Sequence, residues 1–520
     1  MGGVAFAVFC VVIAAGQTSA PPVVPATSAP PAIAPAPAPP PAAFSYETVR
    51  ERARAMAAKE FKPDLTPELP EELKKLSYDG YQGIHFRPEE SLWPNQRLQF
   101  SIQFFHRAYL YKEPVRIHFI EAGQVHDFQF SPQQFDYGKA RFAKPLPSGL
   151  HFAGLRVVFH SRNLSRQDEV ASFLGASYFR IVGIHQHYGS SARGLAIDTA
   201  EPKGEEFPRF TEFWIEKPNQ LDAHLQIFAL LDSPSVTGAF RFVIKPGEIT
   251  TTDVEASIFL RKDIKKLGLA PLTSMFLTGK NRTRFVPDFR PEVHDSDGLL
   301  LQPAPEDWQW RPLVNPPKEH HISAYPVEDL WGFGLMQRER DFHEYEDLVG
   351  RYHQRASLWA EPKNKWGPGT IELVEIPSTT EFNDNIVAYW IPKQKSAAGQ
   401  DFHYTYSLSA LSDEPAGEPS LRVRSTRINP EHDKSPPRFF VDFSGELPSS
   451  VAVGAPVTAK AQASHGEIRN MIVEKNDVIG GWRAFFDLLN AGSEPTDLRL
   501  SLFSGEQPMG ETWIYHYQNP

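Results

Sequence analysis

Residues 98–104 read Leu-Gln-Phe-Ser-Ile-Gln-Phe. Apolar residues at 98, 100, 102 and 104 alternate with polar ones. That is the period of a strand with one buried and one wet face, because successive side chains of an extended chain point to opposite sides. The period returns at Val115, Ile117 and Phe119. A turn at Ala122-Gly123 then leads to Val125 and a second run ending at Phe130, which predicts a hairpin. It returns again at Phe240, Phe242 and Ile244, and at Leu498, Leu500 and Leu502. Turn residues punctuate the chain at short intervals and no strand–helix–strand alternation appears. Stacked antiparallel sheets need this pattern, so the expected fold class is all-β.

The rest of the chain sets the organisation. A length of 520 residues exceeds one ordinary core, so two folded units are expected. The 47 prolines oppose a helical protein, since each removes a backbone donor and fixes φ. One helix is predicted over 46–61, where Val49, Ala53 and Met56 share a face, and a shorter one near 70–77, started by Pro70. The strand pattern breaks at Ser-Asp-Glu-Pro-Ala-Gly-Glu-Pro, which places a boundary at 412–423. Residues 45–412 then form a large β-sandwich, and 424–516 have the length of a seven-stranded immunoglobulin-like sandwich. At the other end, the apolar run 4–15 is the size of a signal-peptide core, followed by small residues, although no Lys or Arg precedes it. Residues 1–20 are expected to be an export signal, and 21–44, nearly all Pro and Ala, an extended tether. A net charge of −10 and a pI near 6 argue against nucleic acid, and the single Cys10 excludes an intramolecular disulfide. A neutral polyhydroxyl partner stays open.

Four constellations carry chemistry. The first is Val-His-Asp-Ser-Asp-Gly (293–298). In an extended strand Asp295 and Asp297 would face one cleft; in a turn their side chains would instead accept backbone N–H bonds. A calcium loop lacks its further oxygen ligands, so no metal is expected there. The second is Glu381-Phe-Asn-Asp384-Asn, just ahead of the apolar run 386–390. Glycoside hydrolysis uses one protonated and one ionised carboxyl, and burial with a neighbouring charge raises one pKa; a polar loop with asparagine turns is the plainer alternative. The third is tryptophan density: Trp308, Trp310, Trp331, Trp359 and Trp366 precede Trp390, and indoles offer sugar rings an apolar plane and a donor. About half of them are expected simply to fill a β core. The fourth runs from Phe173 to Glu216, where Tyr178, Arg193 and neighbouring acids suit a groove for a polyhydroxyl chain. His185 and His187 read as ordinary strand residues rather than metal ligands. No nucleophile elbow, zinc-protease helix or phosphate loop occurs, and no cofactor is expected.

Taken in order, several blocks resemble the periplasmic osmoregulated glucan biosynthesis proteins of the G and D types. They are Phe-Leu-Gly-Ala-Ser-Tyr-Phe-Arg (173–180), Ala-Arg-Gly-Leu-Ala-Ile-Asp-Thr-Ala (192–200), Gly-Glu-Glu-Phe-Pro-Arg-Phe (204–210), Arg-Pro-Glu-Val-His-Asp-Ser-Asp-Gly (290–298), Trp-Arg-Pro-Leu (310–313), Gly-Phe-Gly-Leu-Met-Gln-Arg (332–338) and Asn-Asp-Asn-Ile-Val-Ala-Tyr-Trp (383–390). The resemblance spans about 46–515. It implies a galactose-mutarotase-like β-sandwich followed by a small immunoglobulin-like one, in the periplasm, acting on β-1,2-linked glucan. It implies an inverting glucanase or a transglycosylase, with a non-catalytic glucan-binding or assembly factor as the alternative. The general acid falls on Asp384, its partner carboxylate on Asp295 or Asp297, a relay tyrosine on Tyr352 and a further acid on Glu381. Arg338 joins Arg193, Tyr178 and the five tryptophans as candidate glucan contacts. An inner-membrane glucan synthase and a second copy of the chain are the other candidate partners. No twin-arginine pair is seen, which leans toward the G type or a start placed too far downstream.

Overall fold

The computed structural model describes residues 43–518 apart from 95, 161–166, 282–286, 432–434, 453, 491 and 493–494. The expected export signal and all but the last two residues of the Pro/Ala tether lie outside the described residues. Among those described, no helix is long and apolar enough to cross a membrane.

The all-β expectation holds. One sheet of ten strands runs from Phe100–Phe105 at one edge to His321–Val327 at the other. A second, of fourteen, contains the consecutive hairpin strands Arg209–Glu216, Leu225–Asp232, Val236–Lys245 and Thr250–Leu260. The main core lies between the two. Phe240, Phe242 and Ile244 enter it from one side, and Phe100, Ile102 and Phe104 from the other. The predicted hairpin is present as Arg116–Glu121 and Gln124–Phe128. Its turn residues Ala122 and Gly123 both have positive φ, 50° and 76°, the twist that joins two strands tightly and the reason a glycine stands there.

Two departures from simple alternation have physical causes. Strand Leu225–Asp232 carries the unbroken apolar run Ile227-Phe228-Ala229-Leu230-Leu231. Ile227, Ala229 and Leu231 face the main core, while Phe228 and Leu230 face outward under the helix Tyr46–Ala57, against Val49 and Ala53. The helix thus turns a wet face into a second dry one. In the 98–104 stretch Ser101 and Gln103 are buried too. Gln103 accepts from Arg156 Nε at 3.0 Å, and Ser101 Oγ lies 2.9 Å from His160 Nε2, so this face is a hydrogen-bonded surface. The short helix expected near 70–77 is present behind Pro70, and a further one follows it. Glu71–Lys74 stops, and Tyr78–Gln82 starts afresh with Ser77 accepting from the Gly80 N–H.

A second core lies between a four-stranded sheet (Arg422–Asn429, Arg438–Ser444, Gly481–Leu489, Glu467–Asn476) and three further strands, Thr458–Ala463, Thr496–Ser504 and Gln507–Tyr517. The last of these pairs in parallel with Asp307–Pro312, so the three continue the fourteen-stranded sheet. Leu498, Leu500 and Leu502 point inward as their period predicts. The acidic stretch after Leu411 is not a loose linker. Glu414 and Glu418 turn back onto buried Arg338, which also bonds Glu511 at 2.6 and 2.9 Å.

Candidate active site

Asp384 stands at the tip of a loop that leads into strand Ile386–Pro392, and two amide side chains hold the loop. Asn385 donates to the carbonyls of Phe276 and Ile376 and accepts from the Phe276 N–H, all within 3.0 Å. Asn315 donates to the Ser378 and Leu277 carbonyls and accepts from the Ser378 N–H. Between these anchors Phe382, Asn383 and Asp384 are exposed. Both ends are fixed and the tip is open, which suits a loop that must present a side chain.

The Asp384 carboxyl combines water access with a pKa raised from the ordinary value. The protein mass around it disfavours the charge, and this outweighs the guanidiniums of Arg180, Arg193 and Arg355, which favour it. Glu381 is not the cause, contrary to the expectation from its spacing. Glu381 Oε2 is committed elsewhere: it accepts from Tyr352 Oη at 2.7 Å and pairs with Arg290 Nη1 at 2.8 Å. Burial and this bond to a carboxylate push the Tyr352 phenol up.

Arg355 links the two groups. Its guanidinium lies 3.9 Å above the Tyr352 ring, pairs with Asp295, and is pulled down to about 10 by burial and by Arg180. Its position is set from behind by Gly189, where an added Cβ would sit 2.9 Å from Arg355 Cδ. Arg193 is 2% exposed and has only part of its donor set used. Nη1 donates to Glu205 at 2.6 Å, the guanidinium faces the Tyr178 ring at 5.3 Å, and Nε and Nη2 have no partner among the described residues.

The structure therefore gathers Asp384, Asp295, Glu381, Tyr352, Arg193 and Tyr178 into one neighbourhood. It does not gather the rest. Asp297 turns away from Asp295 and accepts the backbone N–H groups of Arg338 and Glu339 at 3.0 and 3.1 Å. The two-residue rule fails because 295–297 is the bend between strands Val293–His294 and Gly298–Ala304, not a strand. Arg338 is buried among Glu414, Glu418 and Glu511 with Trp310 stacked on it at 3.6 Å, so it is a structural cation rather than a glucan contact. Trp308, Trp310 and Trp359 fill the second core at 3–5% exposure and have no free face for a sugar. Trp331 is half exposed, but at the Gln302 end of the pair whose other end carries the Asp297 bend. Trp366 lines a different cavity, beside Trp390. Arg180, Arg290 and Arg355 were not singled out from the sequence. Arg180 and Arg290 close and open two of the resembling blocks, whereas nothing local marks Arg355.

Nearby, Glu292, Glu339 and Glu344 bring carboxylate oxygens together. Lys280 Nζ already sits among them, paired with Glu339 and 3.7 and 3.5 Å from the other two, and Arg424 and His294 bond Glu339 and Glu292, so the chain supplies its own cations there.

The family model described as "Periplasmic glucan biosynthesis protein, MdoG" matches residues 44–517. The chain is also 43% identical over 477 residues to glucans biosynthesis protein G of Rhodopseudomonas palustris (strain BisA53), covering 92% of this chain and 94% of that protein.

Proposed function

The chain belongs to the periplasmic glucan biosynthesis protein family, and on that premise we propose that it cleaves or transfers β-1,2-linked glucan with Asp384 as general acid. The observation that carries this reading is Asp384 itself: an open carboxyl whose pKa is raised by the protein around it, beside the guanidiniums of Arg180, Arg193 and Arg355. A protonated Asp384 delivers its proton to the glycosidic oxygen as the C1–O bond breaks. In hydrolysis a water attacks C1 from the opposite face and loses its proton to Asp295; in transfer a sugar hydroxyl takes the water's place. By the alternative route the water's proton goes to Tyr352 Oη, which passes its own to Glu381 Oε2, the carboxylate it donates to at 2.7 Å. Arg193 and Tyr178 line the sugar path.

Incubating purified protein with linear β-1,2-glucan and following chain length decides the matter. Shortened or redistributed chains are expected. Unchanged chains with tight binding retained would overturn the catalytic reading and leave a non-catalytic glucan-binding factor.

A further inference from the structure

Strand Gly332–Met336 pairs with Gly298–Ala304, so its end comes to lie beside the bend at 295–297. The next residue, Gln337, is 2% exposed, and its backbone N–H donates to Ser357 Oγ at 2.9 Å. Its carboxamide is fully used. Nε2 donates to the His294 carbonyl at 2.9 Å and to the Tyr352 carbonyl at 3.1 Å, and Oε1 lies 2.7 Å from His294 Nδ1.

These bonds admit one arrangement. An amide turned over would set its oxygen against two carbonyl oxygens, so Nε2 faces the carbonyls and Oε1 faces the imidazole. An amide oxygen only accepts, so His294 Nδ1 carries a proton. The other ring nitrogen lies 2.9 Å from Glu292 Oε2, and the ring packs against Phe276 and Tyr345. Burial opposes a charge on this ring, yet Glu292, Asp297 and Gln337 hold its pKa above the ordinary value. The ring is thus locked at both nitrogens, and Gln337 is locked by the ring.

The groups that the carboxamide joins give it a role. The His294 carbonyl and the Asp295 N–H belong to one peptide group, and that N–H donates to the Met275 carbonyl at 2.8 Å. The plane that carries Asp295 is therefore bonded at both edges. The Tyr352 carbonyl also accepts from the Arg355 N–H at 3.1 Å, and the Arg355 guanidinium pairs with Asp295. A closed circuit results, from Asp295 through Gln337 to Tyr352, and through Arg355 back to Asp295. Gln337 thus ties together the segments of both proton acceptors through backbone carbonyls, without bonding the Asp295 carboxyl or the Tyr352 hydroxyl.

We propose that Gln337 is a positioning residue, which sets Asp295 and Tyr352 at the spacing needed to receive the proton of the attacking oxygen. This role rests on the catalytic reading above.

The test is steady-state kinetics on linear β-1,2-glucan with Gln337→Glu and Gln337→Met, each alone and combined with Asp295→Asn or Tyr352→Phe. Gln337→Glu keeps the length and the acceptor for His294 Nδ1 and loses the amide donors, so folding, followed by circular dichroism, is expected to be retained. Gln337→Met, of similar length, removes donors and acceptor together and gives a second reading without a new carboxyl. Alone, each should lower kcat by about tenfold to a hundredfold with KM within about twofold, the size of effect that a misplacement of about 1 Å produces. In at least one of the two combined backgrounds the same change should cost less than about threefold, because spacing ceases to matter once the group it places is gone. A folded variant with wild-type kcat, or the full loss repeated in both backgrounds, would overturn the role. Unchanged glucan chains with the wild-type protein would instead reject the catalytic reading, and the role with it.

Discussion

Asp384→Asn is expected to lower turnover of β-1,2-glucan by about a thousandfold, within the range that positioned general acids contribute, with little change in glucan binding. The amide keeps the shape and removes the proton. No fold penalty is expected, because the raised pKa means that the ionised carboxyl is disfavoured where it stands. The sign runs the same way for pH. A folded pKa above the unfolded value gives stability that is complete below the ordinary aspartate range and is lost as pH rises through the raised value. Activity that needs the protonated form falls over the same interval. The wild-type rate should therefore have an alkaline limb above the usual aspartate pKa, and the residual rate of the amide variant should lack it. Steady-state rates across pH, with circular dichroism as a folding control, check both statements. A variant with wild-type turnover would remove Asp384 from the reaction.

The second large effect lies in stability. Arg338→Met should cost about 3–5 kcal/mol, because it strands Glu414, Glu418 and Glu511 around a vanished cation. Their side chains are 7, 0 and 0% exposed, so water cannot replace the guanidinium. Three carboxyls share Arg338, and among the described residues only Glu418 has a second cation, Arg422, at 2.9 Å. Burial and the neighbouring Glu511 and Glu414 push Glu418 up to about 10, while Arg338 and a hydrogen bond from Glu418 hold Glu511 low. Since the Glu418 pKa is raised on folding, its stabilising contribution is full below the ordinary glutamate value of 4.5 and is lost progressively as pH rises toward about 10. Glu418→Gln, already neutral, should flatten that slope. Urea denaturation midpoints at several pH values measure both variants. An Arg338→Met midpoint equal to wild type would mean that this cluster does not hold the acidic stretch in place.

The strand pattern was readable wherever one face meets a core and the other meets solvent, as at Phe240–Ile244 and Leu498–Leu502. It blurred where a second layer covers the outer face, as at Ile227–Leu231. Sequence spacing could place Asp384 and Glu381 on one loop, but not reveal that Glu381 is taken by Arg290 and Tyr352, since Arg290 lies ninety-one positions upstream. The tryptophans show the same limit. Trp308 and Trp310 sit two apart and so share a face, but only the strands that cover this face, from the last hundred residues, make it a core. Asp295 and Asp297 part because the chain bends between them. Arg338 looked like a solvent-side donor because its three carboxylate partners lie 76, 80 and 173 positions away.

The most direct test is the structure of the Asp384→Asn protein with a β-1,2-gluco-oligosaccharide bound. A glycosidic oxygen within hydrogen-bond reach of the substituted amide at position 384, with a water or sugar hydroxyl on the Asp295 side of the same C1, is the predicted result. An oligosaccharide that lies elsewhere and leaves the 381–385 loop untouched would contradict the account.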